Sequence, residues 1–139
     1  MVFIWSRCGK GKPNHNVPID RIISFSVLNI PFVENRLIDW QEYFSDMIGV
    51  SKPEDATIEE VVLHFNQTTG KYIESKSIHE TQKHKWINEN TFEVTIKVYI
   101  NYELERLILS YCESVKVIQP LNLKIKLQER LKQSLANYD

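Results

Sequence analysis

Residues 91–138 decide the fold, and they read TFEVTIKVYI-NYELERLILSYC-ESVKVIQP-LNLKIKLQERLKQSLANY. The first block alternates apolar and polar side chains, which is the pattern of a half-buried strand. Asn101 can cap a helix over the second block, and Pro120 suits the first turn of a helix over the fourth. Val115–Ile118 is a short apolar run between them. The stretch therefore predicts strand, helix, strand and helix.

Three further elements are predicted upstream of this stretch. Residues 60–65 alternate as a strand, residues 67–76 form a weak helix that Gly70 interrupts, and residues 77–87 form another strand. The order from Glu60 onward is then β-α-β-β-α-β-α. The first six elements match a split βαβ, ferredoxin-like sandwich, an antiparallel sheet with two helices on one face. The predicted fold class is α+β.

The first 50 residues predict a hairpin followed by a helix. Residues 2–5 read as a strand, the Gly-, Pro- and Asn-rich residues 9–16 as a loop, and residues 19–28 as a half-buried strand. Asp39 can cap a helix that ends at Gly49, and the polar residues 51–57 look like a linker. The helix carries an apolar stripe that is typical of a core: Trp40, Tyr43, Phe44, Met47 and Ile48.

Composition places the chain among ordinary soluble proteins. It has 139 residues, of which 42% are hydrophobic and 25% charged. No apolar run approaches the roughly 18 residues of a membrane span, and the start lacks the pattern of a signal peptide, so the predicted location is cytoplasmic. Cys8 and Cys112 are expected to be reduced thiols, although one long-range disulfide is the alternative.

The net charge of -1 hides an uneven distribution along the chain. Residues 1–21 carry four basic residues against Asp20 alone, whereas residues 34–60 carry eight acidic residues against two basic ones. A basic end could attract an anionic ligand to the N-terminal part. Two solvated faces without a ligand explain the same distribution.

Two motifs carry a resemblance to the WYL-domain transcriptional regulators. One is Pro-Ile-Asp-Arg-Ile at residues 18–22, and the other is the segment 101–111 with the Val-x-Val-x-x-Pro pattern of residues 115–120. The chain departs from the family where Val2-Phe3-Ile4 replaces the Trp-Tyr-Leu strand. It also carries Cys112 where relatives usually have glycine, at a position that often needs positive φ.

The resemblance implies two modules and a regulatory role. Residues 1–50 would be a partial Sm-like (SH3-like) β-barrel with a connecting helix, and residues 57–139 the ferredoxin-like WYL C-terminal extension. In such regulators the WYL module is thought to bind a nucleotide or nucleic-acid effector, and the extension helps form the dimer. The earlier strands and the winged helix-turn-helix domain have no counterpart here. A fragment or a truncated product of a regulator is therefore expected, without direct sequence-specific DNA binding.

Arg21 is the first candidate for ligand binding, because the resemblance places it at the effector groove and guanidinium suits bidentate phosphate contacts. Pairing with Asp20 or Asp39 is the structural alternative. The other candidates are Arg7 across the hairpin, loop cations that attract phosphate and aromatic rings that can stack on a base: Arg7, Lys10, Lys12, His15, Phe3 and Trp5. An exposed cation at Arg7 and a barrel-core position for Phe3 remain alternatives.

Histidines 79 and 84 invite a comparison with zinc proteases, but they are five residues apart, and the helical motif needs a separation of four. A site that also uses His64 is the weakest hypothesis. No nucleophilic triad, phosphate-binding glycine loop or carboxylate pair stands out. The prediction is accordingly no metal, no cofactor and no catalysis.

The functional prediction is an effector-sensing and dimerisation part of a WYL-type regulator. An anionic effector, nucleotide or short single-stranded nucleic acid, would alter the geometry of a homodimer. The outward apolar residues Val62, Tyr99 and Ile125 are candidates for the dimer surface. The alternative is an assembly-only module without a ligand pocket, and a metal-dependent enzyme using the three histidines is less favoured.

Overall fold

The computed structural model describes residues 3–6, 15–31, 39–53 and 57–138. The chain divides into two compact units, Met1–Ile38 and Asp39–Asp139. We call them the N-terminal unit and the C-terminal unit and describe each by itself.

The N-terminal unit contains a two-stranded antiparallel sheet. Strand β1 (Phe3–Ser6) pairs with strand β2 (His15–Pro18), with Phe3 opposite Pro18 and Ser6 opposite His15. A single 3-10 turn, Ile19–Arg21, follows β2 directly and is closed by the bond from the Ile22 amide to the Ile19 carbonyl at 3.2 Å. The predicted hairpin is therefore present, but its second strand lies before residue 19.

The half-buried strand predicted over residues 19–28 is wrong. After the 3-10 turn, residues 22–28 adopt no regular secondary structure. Their apolar side chains face solvent, with 100% of Ile23, 88% of Phe25 and 90% of Val27 exposed. Alternation produces a half-buried strand only beside a partner strand and a core. Within the described part of the chain no strand pairs with this segment.

The C-terminal unit follows the predicted order β-α-β-β-α-β-α, preceded by the short helix α1 (Trp40–Ser45). Its remaining elements are, in chain order, β3 (Ile58–Asn66), α2 (Gln67–Ser75), β4 (Lys83–Asn88), β5 (Thr91–Tyr99), α3 (Tyr102–Ser110), β6 (Val115–Gln119) and α4 (Leu121–Leu135). A 3-10 turn, Cys112–Ser114, connects α3 to β6.

Helix α1 begins as predicted and ends earlier. The Glu42 amide donates to Asp39 Oδ1 at 3.4 Å, and the Tyr43 amide donates to the Asp39 carbonyl at 2.9 Å, so Asp39 caps the helix. The helix stops at Ser45, and the chain turns at Gly49, whose φ is +83°. This left-handed conformation favours glycine, and an added Cβ would lie 2.5 Å from Cγ of Glu103.

The four strands form one antiparallel sheet in the order β4-β5-β3-β6. β3 and β5 pair along their whole length, from Ile58 opposite Tyr99 to Asn66 opposite Thr91. β6 pairs with the other side of β3, with an irregular register beside Val62. β4 and β6 are therefore the edges. The predicted α+β class with an antiparallel sheet is confirmed.

One face of the sheet carries the core of this unit. Alternate residues of β3 and β5 are fully buried against helices α2, α3 and α4, since strand side chains alternate between the two faces. The buried cluster consists of Val61, Leu63, Phe65, Phe92, Val94, Ile96, Val98 and Val117 from the strands and Ile73, Leu104, Ile108, Leu123 and Leu127 from the helices.

The weak helix predicted over residues 67–76 is present as α2, whereas the strand predicted over residues 77–87 is shortened. Gly70, which weakens the helical pattern, lies inside α2 because a Cβ there would be 2.6 Å from Cβ of Phe92. The strand predicted from residue 77 begins only at Lys83. The residues before it form a turn in which the Ile78 amide donates to Gln82 Oε1 at 2.9 Å. Gly70 thus marks a close approach of α2 to the sheet, and the turn closed by Gln82 delays the start of β4.

Candidate functional site

The predicted ligand-binding residues fall around the β1–β2 hairpin. Phe3 and Trp5 belong to β1, and His15 opens β2, where the register sets it opposite Ser6. Arg7 and Lys12, like Lys10, lie outside the described residues. The structure thus brings two strands of the predicted site together.

Arg21 ends the 3-10 turn after β2 and is exposed. Within the described parts of the chain no carboxylate lies within ion-pair distance of its guanidinium, including its neighbour Asp20. An exposed guanidinium without a partner keeps all its N–H donors available for an anion. Its assignment to an effector site, like that of the other candidates, stays a prediction.

The face of the C-terminal sheet opposite the core carries a polar cluster. Nε2 of His64 lies 2.9 Å from Oε2 of Glu93, and Nζ of Lys85 lies 3.1 Å from the other carboxylate oxygen. The three residues come from adjacent strands at one level of the sheet. The hydrogen bond from His64 and then that from Lys85 hold the pKa of Glu93 below its usual value, because both favour the ionised carboxylate.

The other two histidines have different surroundings. Nδ1 of His79 lies 2.8 Å from the hydroxyl of Thr81 in the turn before β4. The ring of His84 packs at 5.1 Å from the ring of Phe92. Among the residues that the structure describes, no group of three His, Cys, Asp or Glu side chains is placed to hold a metal ion. The three-histidine site is therefore not assembled.

An ion cluster between α3 and α4 has no counterpart in the predictions. Glu105 is buried, and its two carboxylate oxygens contact Nζ of Lys126 at 2.6 Å and Nη1 of Arg130 at 2.8 Å. The Arg130 guanidinium also lies 5.0 Å from the ring centre of Tyr102. The only local signal is the spacing of Lys126 and Arg130, four residues apart on one helix face. The cluster joins the two helices and satisfies the buried carboxylate.

Asn101 connects α3 to the segment after α1. Its Oδ1 accepts a bond from the Leu104 amide at 2.8 Å, which caps α3 as predicted. Its Nδ2 donates to the carbonyls of Ile48 at 2.8 Å and Ser51 at 3.0 Å. Ser51 also donates to Oε1 of Glu103 at 2.6 Å. These bonds attach residues 48–51 to the C-terminal unit.

Tyr111 closes α3 and packs edge-on against Phe65, with ring centres 5.2 Å apart. Burial, and then the proximity of Tyr72, raise the pKa of the Tyr111 phenol. The phenol is therefore neutral at physiological pH and contributes packing rather than charge.

None of the helices in the described ranges combines the length and the apolar character needed to cross a lipid bilayer.

Comparison with known families assigns the C-terminal unit. The model of the WCX domain, the C-terminal extension of WYL-type regulators, matches residues 57–135. The match runs from the residue before β3 to the end of α4 and includes every strand of the four-stranded sheet. A search of curated proteins gives no match. The WCX domain is a regulatory-domain family. The chain belongs to the WCX domain family, and it corresponds to the C-terminal part of a WYL-type regulator.

Proposed function

We propose that this chain is the effector-sensing and dimerisation part of a bacterial WYL-type transcriptional regulator. The observation that carries the proposal is the WCX match over residues 57–135, since this domain fits transcription regulation. The effector is an anionic nucleotide or a short single-stranded nucleic acid. The chain works by binding and assembly, without a catalytic step.

The proposed architecture is a partial Sm-like barrel at residues 1–50 and a ferredoxin-like extension at residues 57–139. The β1–β2 pairing supports the first part, because a small barrel is built from such antiparallel neighbours. The strand order β6-β3-β5-β4, with α2 and α3 as the connecting helices, supports the second part. The exposed apolar side chains of residues 22–30 are those that further barrel strands would cover.

The effector is proposed to bind at Arg21 and the β1–β2 hairpin. Arg21 is exposed and has no ion-pair partner among the described residues. A phosphate that binds its guanidinium therefore breaks no ion pair in that part of the chain. Phe3, Trp5 and His15 lie on the paired strands, and Arg7 and Lys12 belong to the sequence between them. Together they would offer charge and aromatic surface to a nucleotide.

The test is a fluorescence anisotropy titration with a short labelled single-stranded DNA at low and at moderate salt. We expect binding that weakens with salt and a loss of at least about tenfold in affinity for Arg21→Glu, because a charge-assisted hydrogen bond contributes about 1.5–3 kcal/mol. Lys71→Glu is the control. Lys71 is exposed on α2 in the C-terminal unit, and its replacement changes the net charge by the same amount.

Equal binding by the wild type, Arg21→Glu and Lys71→Glu would remove Arg21 from the effector site. Absence of binding at low salt would leave assembly without a ligand pocket as the better account of the chain. The same titration with free nucleotides distinguishes a mononucleotide effector from a single-stranded one.

Dimerisation is proposed to use the outward face of α4. Ile125 is 47% exposed and lies one turn from Leu121, which is 66% exposed, so the two side chains share one helix face. Of the other predicted candidates, Val62 is buried and is not part of this face, whereas Tyr99, whose ring centre lies 4.8 Å from Nζ of Lys52, stays a prediction. The apolar face of α4 is therefore the proposed contact.

Light scattering tests this contact. We expect a dimer for the wild type and a monomer for Ile125→Glu, because an unpaired charge would have to be buried in the interface. Ile87→Glu is the matched control, since Ile87 is also 47% exposed but lies on β4. A monomeric wild type, or the same loss of dimer in both variants, would contradict the proposed surface. A dimer that responds to no nucleotide or DNA favours the assembly-only function.

A further inference from the structure

Residues 46–52 follow α1 and lie outside the part of the chain that matches the WCX model. We call this segment the latch. Its backbone carbonyls accept hydrogen bonds from the sheet and from α3. The Tyr99 amide donates to the Asp46 carbonyl at 2.8 Å, and the side-chain amide of Asn101 donates to two further carbonyls of the latch at 2.8 and 3.0 Å. The latch is therefore attached where β5 ends and α3 begins.

The latch passes directly over the side chain of Glu103. Gly49 has a φ of +83°, and a Cβ at this position would lie 2.5 Å from Cγ of Glu103. The Ser51 hydroxyl donates to Oε1 of the same carboxylate at 2.6 Å, and Nζ of Lys52 lies 4.8 Å from the ring centre of Tyr99. These contacts all reach the junction of β5 and α3, so one local movement breaks them together.

The core of the C-terminal unit is built without the latch. Every described member of the buried cluster lies between Val61 and Leu127. The latch adds Met47, which is buried outside that cluster, and Ile48, which packs against it. The other latch residues are exposed or half-exposed, whereas β3 and β5 are paired along their whole length. A segment with few buried apolar contacts opens at a lower free energy than a paired, buried core.

We propose that the latch is a conformational device that opens and closes as one unit while the sheet and its helices stay folded. Closed, it fixes the chain that precedes it to the end of β5. Open, it leaves that chain joined to the sheet only by the polypeptide that leads into β3. The two states differ by the four hydrogen bonds described above, so any event that pulls on α1 shifts the equilibrium between them. The proposal depends on neither the effector site at Arg21 nor a dimer.

Native-state hydrogen exchange of the full chain, measured by NMR, tests the proposal. The Tyr99 amide reports on the latch, because its acceptor is the Asp46 carbonyl. The Leu63 amide reports on the sheet, because Leu63 is fully buried on the inner strand β3. We expect the opening that exposes the Tyr99 amide to be at least about thirtyfold more populated than the opening that exposes the Leu63 amide.

Two variants separate the latch from the sheet. Asn101→Ser keeps a cap for α3 but loses both bonds to the latch carbonyls, so exchange of the Tyr99 amide should be about 25-fold faster, since each such bond contributes about fivefold to an equilibrium. Asn66→Ala is the matched control, because it uncaps α2, which stays folded when the latch opens. It should speed exchange of the Leu63 amide about fivefold and leave that of the Tyr99 amide nearly unchanged.

Three results would overturn the proposal. Equal opening populations at Tyr99 and Leu63 in the wild type would mean that the latch and the sheet unfold together. An Asn66→Ala variant that speeds both amides by the same factor would mean the same. Exchange of the Tyr99 amide that Asn101→Ser leaves at the wild-type rate would show that the carbonyl bonds do not hold the latch. Slow exchange of the Leu63 amide verifies that each variant retains a folded sheet.

Discussion

Asn101 provides the sharpest test of how the C-terminal unit is held together, because its side chain makes three hydrogen bonds with two functions. One bond caps α3 through the Leu104 amide, and two bonds reach the carbonyls of Ile48 and Ser51. Loss of an N-cap costs about 1 kcal/mol. Loss of each carbonyl bond costs about 1 kcal/mol more. We therefore expect Asn101→Ala to lower the free energy of unfolding by about 3 kcal/mol.

Asn66 is a matched control within the same unit. Its Oδ1 accepts from the Thr69 amide at 2.9 Å and caps α2 in the same way, but its side chain donates no bond to a distant carbonyl among the described residues. Asn66→Ala should cost only the cap, about 1 kcal/mol. Asn101→Ser separates the two functions further. Serine can cap α3 but cannot reach both carbonyls, so about 2 kcal/mol should be lost.

Urea denaturation followed by circular dichroism measures these differences. With a slope of about 2 kcal/mol per molar urea, the three variants should lower the unfolding midpoint by roughly 1.5 M, 0.5 M and 1 M, in the order Asn101→Ala, Asn66→Ala, Asn101→Ser. Equal midpoints for the two alanine variants would refute the reasoning, since the carbonyl bonds would then add nothing. A wild-type midpoint for Asn101→Ser would refute it as well.

Three further perturbations test other contacts. Glu93→Gln should destabilise the chain more at pH 7 than at pH 3: the pKa of Glu93 is lowered, so its contribution is fully present above the usual value of 4.5 and declines as pH falls towards and through the lower folded value. A destabilisation that urea titrations find equal at both pH values would contradict this. Cys112→Gly should raise the free energy of unfolding by about 0.5–1 kcal/mol relative to Cys112→Ala, because φ at this residue is +47°; equal midpoints would remove the backbone argument. Gly70→Ala should lower the free energy of unfolding by about 1–3 kcal/mol in thermal or urea unfolding, because the added Cβ would meet Phe92, even though alanine has the better helix propensity. Thr68→Ala, on the exposed side of α2, is the control and should change the free energy of unfolding by less than about 0.5 kcal/mol.

Local patterns predicted most of the C-terminal unit. The alternation from Phe92 onward forms β5, and Asn101 caps α3, because both signals act over a few residues. The comparison of Cys112 with a glycine position also predicted a left-handed conformation, and φ at Cys112 is +47°. Signals of this kind need no knowledge of the rest of the fold.

Predictions from sequence patterns were wrong where the outcome depends on a neighbouring strand or turn. The alternation at residues 19–28 resembles that of β5, but β5 lies between two strands, whereas no described strand accompanies residues 22–28. Likewise, the start of β4 depends on a turn closed by Gln82, which a strand pattern does not contain. Gly70 predicted a weak helix, and only the neighbouring Phe92 explains why glycine is there.

The candidate sites divide in the same way. Arg21 was accessible to sequence reasoning because it belongs to a continuous motif. The Glu105 cluster was not, because its residues come from α3 and α4 and meet only after folding. In particular, a buried glutamate beside Leu104 is indistinguishable in sequence from an exposed one.

The strand order has a consequence for the synthesis of this protein. β3 lies inside the sheet, but its two neighbours, β5 and β6, both follow it in sequence. On the ribosome, β3 and β5 can pair soon after Tyr99 has left the exit tunnel, whereas the other edge of β3 stays unpaired until Val115–Gln119 has emerged. During that interval the nascent chain presents an open, apolar strand edge, which is the kind of surface that chaperones bind and that drives aggregation. The rate of elongation between α3 and α4 therefore sets how long the nascent chain needs protection.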